Sequence, residues 1–195
     1  MKPPVVDKNR LQREIDELAC ITEAVPPVVT RVLFSESDQR GRNFVKAICR
    51  QAGLALREDP VGNIFARWEG TDKTLPAVAT GSHIDAIPNA GKYDGVVGVL
   101  GAIEAIRALQ AAGFQPKRAI ELIIFTSEEP TRFGIGCLGS RLLGGVLSLE
   151  RAAGLRDSEG KDLEFWRHQG GCTGSLDSVK LPQNCYAAFV ELHIE

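Results

Sequence analysis

Hydrophobic positions along the chain alternate between helical and strand spacing. Near the N-terminus, apolar residues recur every three or four positions and predict a helix with Asp7 as its N-cap. The same spacing predicts a second helix that follows Asp38 and ends near Gly53. A third helix is predicted from about residue 95 to residue 112, ahead of Gly113.

Short apolar runs between these helices predict strands. Two runs flank a turn-forming sequence at residues 59–62 and predict a β-hairpin. Residues 77–80 form an apolar run that predicts a strand, and residues 120–126 form a continuous apolar run, the pattern of a strand that is buried on both faces. Residues 187–195 alternate with period two, which predicts a last strand, whereas residues 145–180 show no clear period. We therefore expect an α/β domain with a mixed, mostly parallel sheet flanked by helices.

Composition and charge restrict the class of function. The 195 residues are 44% hydrophobic and 25% charged, as in an ordinary globular protein. The net charge of -2 is not accompanied by a basic block. We therefore expect neither nucleic acid nor an anionic membrane surface as a partner.

The cysteines and the N-terminus indicate the compartment. The five cysteines are widely spaced and form no C-x-x-C pair, which is typical of reduced thiols in a cytosol-like compartment. The sequence has no apolar signal-peptide segment and no run of about 18 uncharged apolar residues. We expect a cytoplasmic protein, or one of the endoplasmic reticulum if a presequence is missing.

The residues that could carry chemistry lie where strands end. His83 and Asp85 follow the apolar run 77–80, and a strand that continued through both would place them on one side of the sheet. A neighbouring carboxylate can orient a metal-binding imidazole, although exposed His and Asp pairs are also ordinary at strand ends. Asp94 precedes the third helix and is either its N-cap or a carboxylate that bridges two cations.

Glu128 and Glu129 end the second buried strand. Adjacent carboxylates at this point repel each other unless both stay solvated or a cation neutralises one of them. A division into one metal ligand and one general base is natural, since an attacking water needs a carboxylate to take its proton. The alternative is an acidic turn without a ligand.

His193 lies in the predicted last strand with Glu191 and Glu195 on the same face. A histidine in such a strand is commonly only hydrogen-bonded, but two acidic neighbours favour a proton or a cation nearby. Histidine, aspartate and glutamate together suit zinc or manganese rather than copper or an iron–sulfur cluster.

Five ordered motifs resemble one known family. They are Gly81–Asp85, Gly91–Gly95, Phe125–Gly134, Cys137–Arg141 and Glu191–Glu195. They are similar to motifs of the M20-type amidase and carbamoylase family, which includes the allantoate and ureidoglycolate amidohydrolases. Residues 81–145 look most like the plant-type ureidoglycolate amidohydrolases.

The resemblance implies a zinc-peptidase-like catalytic domain that binds two divalent ions, Mn²⁺ or Zn²⁺. It implies that His83, Asp94 and His193 hold one ion. Asp94 would also reach the second ion, which Glu129 would bind. No motif indicates the substrate-binding residues.

The same resemblance implies the reaction and the remaining roles. Glu128 would be the general base, and Asp85 would orient His83. The family hydrolyses a linear, non-peptide C–N bond in a ureide or amide, so the implied substrate is a small molecule, ureidoglycolate or allantoate, with ammonia released.

Members of this family run well beyond the length of this chain and form homodimers through a lid and dimerisation domain. We therefore expect residues 1–195 to be the N-terminal portion of a two-metal catalytic domain. The lid and dimerisation domain and the C-terminal catalytic segment would be absent.

Several alternatives remain open. Cys137 could serve a cysteine hydrolase, although no nucleophile elbow surrounds it. Gly95, Gly98 and Gly101 suggest a dinucleotide fingerprint, but Val97 stands where that motif needs glycine, so these glycines more simply allow close packing of the helix on the sheet. The chain could also be a non-catalytic metal-binding remnant, an aminopeptidase, or an N-acyl- or N-carbamoyl-amino-acid hydrolase.

Overall fold

The structure is a computed structural model that describes residues 3–194. Its helices are α1 (Lys8–Ala19), α2 (Glu36–Gln51), α3 (Val96–Ala111), α4 (Leu138–Leu143), α5 (Leu149–Ala153) and α6 (Leu163–Gln169). Its strands are β1 (Val29–Arg31), β2 (Ala55–Glu58), β3 (Ile64–Trp68), β4 (Ala77–His83), β5 (Ala86–Ala90), β6 (Ile120–Phe125) and β7 (Tyr186–Val190). No helix in the described part of the chain is both long and apolar enough to cross a membrane.

The main sheet has five strands in the order β2–β3–β6–β4–β7. The hairpin β2–β3 joins β6 in antiparallel fashion, whereas β4 pairs in parallel with both β6 and β7. The predicted mixed sheet flanked by helices is confirmed. Within this sheet, two of the described pairings are antiparallel and two are parallel, so the sheet is not mostly parallel as predicted. The hairpin needs only a tight turn, whereas each parallel pairing needs a long crossover.

Two layers of apolar side chains cover the faces of the sheet. Strand β6 shows this most clearly, since Leu122 and Ile124 contribute to the cluster under α1, α2 and α3, and Ile123 contributes to the cluster under α4 to α6. The period of two in a strand sends successive side chains to opposite faces. The prediction that this strand is buried on both faces is therefore confirmed by the structure.

The helix boundaries agree closely with the sequence pattern, with one shift. The side chain of Asp7 caps α1 as predicted, accepting a hydrogen bond from the backbone N–H of Arg10. Helix α2 begins at Glu36, before Asp38, because the Ser35 side chain supplies the cap by accepting from the Asp38 N–H.

Two strand predictions need correction. No strand was predicted after Asp85, but β5 follows it there and pairs antiparallel with β1 in a second, two-stranded sheet. The last strand was expected to continue to residue 195, but β7 ends at Val190, and Glu195 lies outside the described residues. The ladder between β7 and β4 ends with Val190 opposite Thr80, and the chain then passes over α3.

Candidate metal centre

Parallel pairing brings the candidate residues to one edge of the sheet. His83 is the last residue of β4 and lies opposite Phe125, the last residue of β6. Glu128 and Glu129 follow β6 directly after a short turn. Because parallel strands end at the same edge, side chains from distant parts of the sequence meet there.

Three of the predicted ligands form a compact cluster. Each of His83, Asp94 and His193 offers one ligand atom, and these atoms all lie within 4.8 Å of one another. Oδ1 of Asp94 lies 3.7 Å from Nε2 of His83 and 3.5 Å from Nε2 of His193. The two imidazole rings are stacked, with centroids 5.9 Å apart. Two imidazole nitrogens and a carboxylate oxygen are donors that zinc and manganese accept.

The Nε2 atom of His83 is the strongest indication that the cluster suits a cation. The side chain is 1% exposed, and Nε2 is buried without a hydrogen-bond partner among the described residues. Such atoms are rare because an unpaired buried polar group is costly. The atom faces two carboxylates, since Oδ1 of Asp94 and Oε2 of Glu128 each lie 3.7 Å away. These residues therefore fit a divalent cation.

Asp94 is not the N-cap of α3. That position belongs to Gly95, which has a φ of 64° and makes no side-chain capping bond. A Cβ atom on residue 95 would lie 2.5 Å from the ring of His83, so both the backbone conformation and the space require glycine. The capping alternative is therefore wrong, and the Asp94 carboxylate faces the two histidines instead.

Asp85 contacts His83 in a different way from the one expected. Strand β4 ends at His83, so the two residues are not neighbours on one face of a strand. Instead, Nδ1 of His83 lies 3.0 Å from the backbone carbonyl oxygen of Asp85 and 3.5 Å from its Oδ1. Since a carbonyl oxygen can only accept, Nδ1 is the donor, and Nε2 is directed at the cluster.

The same charges set the proton affinity of His83. Burial lowers the pKa of this imidazole, but the hydrogen bond and charge of Asp85 and the charge of Glu128 outweigh burial and raise the pKa to about 9. A site whose carboxylates favour a proton this strongly also favours a divalent cation in its place.

Asp85 has a second set of partners that the sequence did not indicate. Its carboxylate accepts hydrogen bonds from the backbone N–H of Glu128 at 3.2 Å and of Glu129 at 3.0 Å. The residue is 3% exposed. One buried carboxylate therefore positions both His83 and the main chain that carries the two glutamates.

Glu128 lies in a tightly constrained turn. Ser127 precedes it with a φ of 51°, in the left-handed region that non-glycine residues seldom adopt. Sγ of Cys137 donates to Oε1 of Glu128 at 3.2 Å. Burial and the Glu128 carboxylate both raise the pKa of the Cys137 thiol, which argues against a nucleophilic thiolate and hence against the cysteine-hydrolase alternative.

Glu129 lies outside the cluster of three ligands. Burial raises the pKa of Glu129; the charge of His83 opposes this, and the charges of Glu128, Asp85 and Asp94 add to it. Negative charge is therefore concentrated on this side of the cluster, which a further cation would neutralise.

Two buried polar residues that support the site were missed by sequence reasoning. Arg31, which is 0% exposed, donates at 2.6 Å to the carbonyl oxygen of Ile84, the residue between His83 and Asp85. Asn63 accepts from the N–H of Thr126 at 2.8 Å, just after β6. Their partners are more than fifty positions away in the sequence, so no local pattern could reveal them.

Comparisons with known proteins show what the chain is similar to. The profile of the Peptidase family M28 matches residues 63–151. The chain is 55% identical to the ureidoglycolate hydrolase of Oryza sativa subsp. japonica, covering 99% of this chain and 41% of that protein. It is 36% identical to the N-carbamoyl-L-amino acid amidohydrolase of Geobacillus stearothermophilus, covering 98% of this chain and 47% of that protein. A crystal structure of AtUAH in complex with glyoxylate matches with a TM-score of 0.95 at 53% identity, covering 99% of this chain and 47% of the other.

The chain is a relative of the ureidoglycolate and carbamoyl-amino-acid amidohydrolases. The resemblance inferred from the five motifs is thereby confirmed. The chain spans less than half the length of these amidohydrolases. The M28 match includes His83, Asp94, Glu128 and Glu129, whereas His193 lies beyond it.

Proposed function

We propose that this chain is the metal-binding part of an amidohydrolase that cleaves the ureido C–N bond of ureidoglycolate. The observation that carries this proposal is the cluster of His83, Asp94 and His193, in which a buried imidazole nitrogen faces carboxylates but has no hydrogen-bond partner among residues 3–194. The higher identity to a ureidoglycolate hydrolase than to a carbamoyl-amino-acid amidohydrolase supports this substrate.

In this proposal, His83, Asp94 and His193 hold one divalent ion, and Asp94 and Glu129 hold a second, with zinc or manganese as the metal. When bound, the ions lower the pKa of a water molecule and polarise the scissile carbonyl. Asp85 orients His83 through Nδ1 and keeps the main chain of Glu128 and Glu129 in place.

Glu128 would move the proton. Its Oε2 faces the cluster, while its Oε1 accepts from Cys137, so the carboxylate is held in one orientation. The water oxygen bonds to the ureido carbon, the bond from that carbon to the nitrogen that carries the glycolate group breaks, and Glu128 carries the proton from the water to this leaving nitrogen. The products are carbamate, which decomposes to carbon dioxide and ammonia, and hydroxyglycine, which loses a second ammonia to give glyoxylate. Glyoxylate, which is bound in the AtUAH structure, is what remains of ureidoglycolate after both nitrogens are lost.

The lid and the dimer contacts implied by the family resemblance are part of the proposal. Substrate enclosure contributes to rate because orientation and exclusion of water lower the barrier. The relatives contain a further region that these 195 residues do not span. We therefore propose that turnover also needs a region equivalent to it.

A chimera tests the proposed activity directly. This chain would replace the matching segment of the rice ureidoglycolate hydrolase, and ammonia release would be measured with Zn²⁺ or Mn²⁺ on ureidoglycolate and on N-carbamoyl amino acids. We expect turnover of ureidoglycolate. A chimera that hydrolyses only N-carbamoyl amino acids would show that the substrate assignment is wrong.

Variants of the two adjacent glutamates then test which residue is the general base and which is the metal ligand. In the chimera, Glu128→Gln should keep its metal content but lose turnover by roughly 10²-fold or more, the usual contribution of a general base. Glu129→Gln should lose bound metal as well. Metal content measured on purified protein distinguishes the two variants, and the opposite order would reverse the assignment.

A further inference from the structure

Helix α3 carries an unusual row of glycines. Gly98 and Gly101 lie inside the helix, and Gly95 caps it, so the three residues are spaced by three positions and share one face. Glycine within a helix is less stable than alanine, so the row calls for a reason other than helix formation. A dinucleotide site is not that reason, because Gly95 contacts the ring of His83.

Gly98 lies against the residue that precedes each of the two histidines. A Cβ atom on residue 98 would overlap the carbonyl oxygen of Leu192 and would lie 2.7 Å from Cβ of Ser82. Leu192 directly precedes His193, and Ser82 directly precedes His83. Ser82 is 1% exposed in the central strand β4, so it cannot move to make room.

The segment that carries His193 depends on this contact. Backbone pairing between β7 and β4 ends at Val190, so residues 191–194 are outside the ladder. Over α3, Leu192 lies with its carbonyl oxygen at Gly98 and its side chain near Gly101, where a Cβ atom would be 3.2 Å from Cδ2 of Leu192. The position of His193 is thus set by how closely this segment approaches the helix.

We propose that Gly98 is a positioning residue that sets the separation between His83 and His193. Because Gly98 has no side chain, the carbonyl oxygen of Leu192 and the Cβ atom of Ser82 approach the same point of α3, so that both Nε2 atoms face Asp94. The earlier interpretation, that these glycines pack the helix on the sheet, describes only the contact with Ser82. The inference rests on the proposed metal function of the cluster.

The test is Zn²⁺ binding to the complete 195-residue chain and to two alanine variants. Gly98→Ala should weaken Zn²⁺ binding by about tenfold or more, as expected when the support of a metal ligand is lost. Gly101→Ala is the matched control: it makes the same substitution in the same helix, and it meets only the flexible end of a leucine side chain. Its Zn²⁺ affinity should stay within about twofold of the parent, because the ligands are not displaced.

NMR of the histidine rings reports metal binding at each histidine separately, and a merely structural effect would not change this measurement. The chain has three histidines, and His168 pairs with Glu164 on α6, outside the cluster, as an internal reference. On addition of Zn²⁺ to the parent, the ring signals of His83 and His193 should shift together while that of His168 stays. In Gly98→Ala, with a thermal melt that shows a folded chain, the two signals should no longer shift together.

The outcomes separate this inference from the proposed function. If Zn²⁺ does not shift His83 and His193 in the parent, the proposed metal function fails. If the parent binds Zn²⁺ and Gly98→Ala binds it equally well with both signals shifting, only the role of Gly98 is overturned. If Gly98→Ala does not fold, the double variant Ser82→Gly with Gly98→Ala decides instead, because it removes the Cβ atom of the buried Ser82 and keeps the overlap with the carbonyl oxygen of Leu192, whose segment lies outside the sheet ladder. A loss of Zn²⁺ affinity of about threefold or more in that variant supports the positioning role, and an unchanged affinity contradicts it.

Discussion

His83 and His193 approach the same carboxylate of Asp94 from very different surroundings. The His83 side chain is 1% exposed at the end of a central strand, whereas that of His193 is 39% exposed in a segment after the edge strand β7. His83 is oriented by Asp85, and Arg31 holds the next peptide. Besides Asp94, His193 contacts the stacked ring of His83 and donates through Nδ1 to the carbonyl oxygen of its neighbour Ile194. One histidine is fixed by a buried polar network and the other by packing against α3.

The largest expected effect comes from removing each histidine in turn. His83→Ala should weaken Zn²⁺ binding by roughly 10³-fold and His193→Ala by roughly 10²-fold, since a ligand contributes several kcal/mol and water can replace only the exposed one. Competition with a chromophoric chelator measures both affinities. His168→Ala is the control, because that residue pairs with Glu164 and lies outside the cluster. Equal losses of Zn²⁺ affinity in the two variants would show that the buried and the exposed histidine contribute equally to metal binding.

A smaller effect concerns the edge strand that leads to His193. Val190 is 64% exposed on β7, and an apolar sheet edge can pair with another chain. Val190→Lys should weaken self-association by about tenfold, the equivalent of one valine side chain no longer buried. Zn²⁺ affinity should not change. Sedimentation at several concentrations measures the association constant.

The control for the edge strand is Val146→Lys. Val146 is 81% exposed but lies between α4 and α5, away from any strand, so the variant adds the same charge without altering the sheet edge. If Val146→Lys weakens association as much as Val190→Lys, then net charge rather than the β7 edge controls it.

The smallest expected effect is a pH dependence of the free energy of unfolding, which comes from a carboxyl group on the buried side. Asp38 is 1% exposed, and burial raises its pKa to about 6, with the charge of Arg42 opposing the rise. Because the folded chain holds this proton more tightly than the unfolded chain does, the stabilising contribution is complete below pH 4 and is lost as the pH rises through about 6. Above that pH, the buried carboxylate is charged and unfavourable.

Asp38→Asn removes the charge and keeps an oxygen that can accept from the Phe34 N–H. Its free energy of unfolding at pH 8 should exceed that of the parent by about 1 kcal/mol, and the difference should vanish near pH 4. Urea unfolding at both pH values measures this, with the exposed Asp177→Asn as a control. A variant less stable than the parent at pH 8 would show that the charge of Asp38 is needed.

The parts of the fold that the sequence predicted well are those that depend on neighbours in the chain. The spacing of apolar residues and the cap at Asp7 located α1, and the glycine-ended apolar run located α3. The turn chemistry at residues 59–62 located the hairpin of β2 and β3. In each case the burial pattern repeats within a few residues, so it is visible without knowing what packs against it.

Predictions failed where a residue's partner lies far away. The alternation after Val190 suggested a continuing strand, but a strand needs a ladder partner, and the chain leaves β4 at that point. Asp94 had the residue type and position of an N-cap, yet Gly95 takes that place in a left-handed conformation. The second partners of Asp85, the N–H groups of Glu128 and Glu129, likewise had no local signal.

The sequence by itself determined which chemical groups are present and that they stand at strand ends. It placed His83 after one apolar strand and Glu128 with Glu129 after another, and that choice of donors already favoured a divalent cation. Only the tertiary structure decided which groups meet. Parallel pairing brought the ends of β4 and β6 to one edge, and close packing on Gly98 brought His193 beside His83. The physical reason is that local periodicity reports burial, whereas distances between remote residues are set by sheet register and by contacts between main chains.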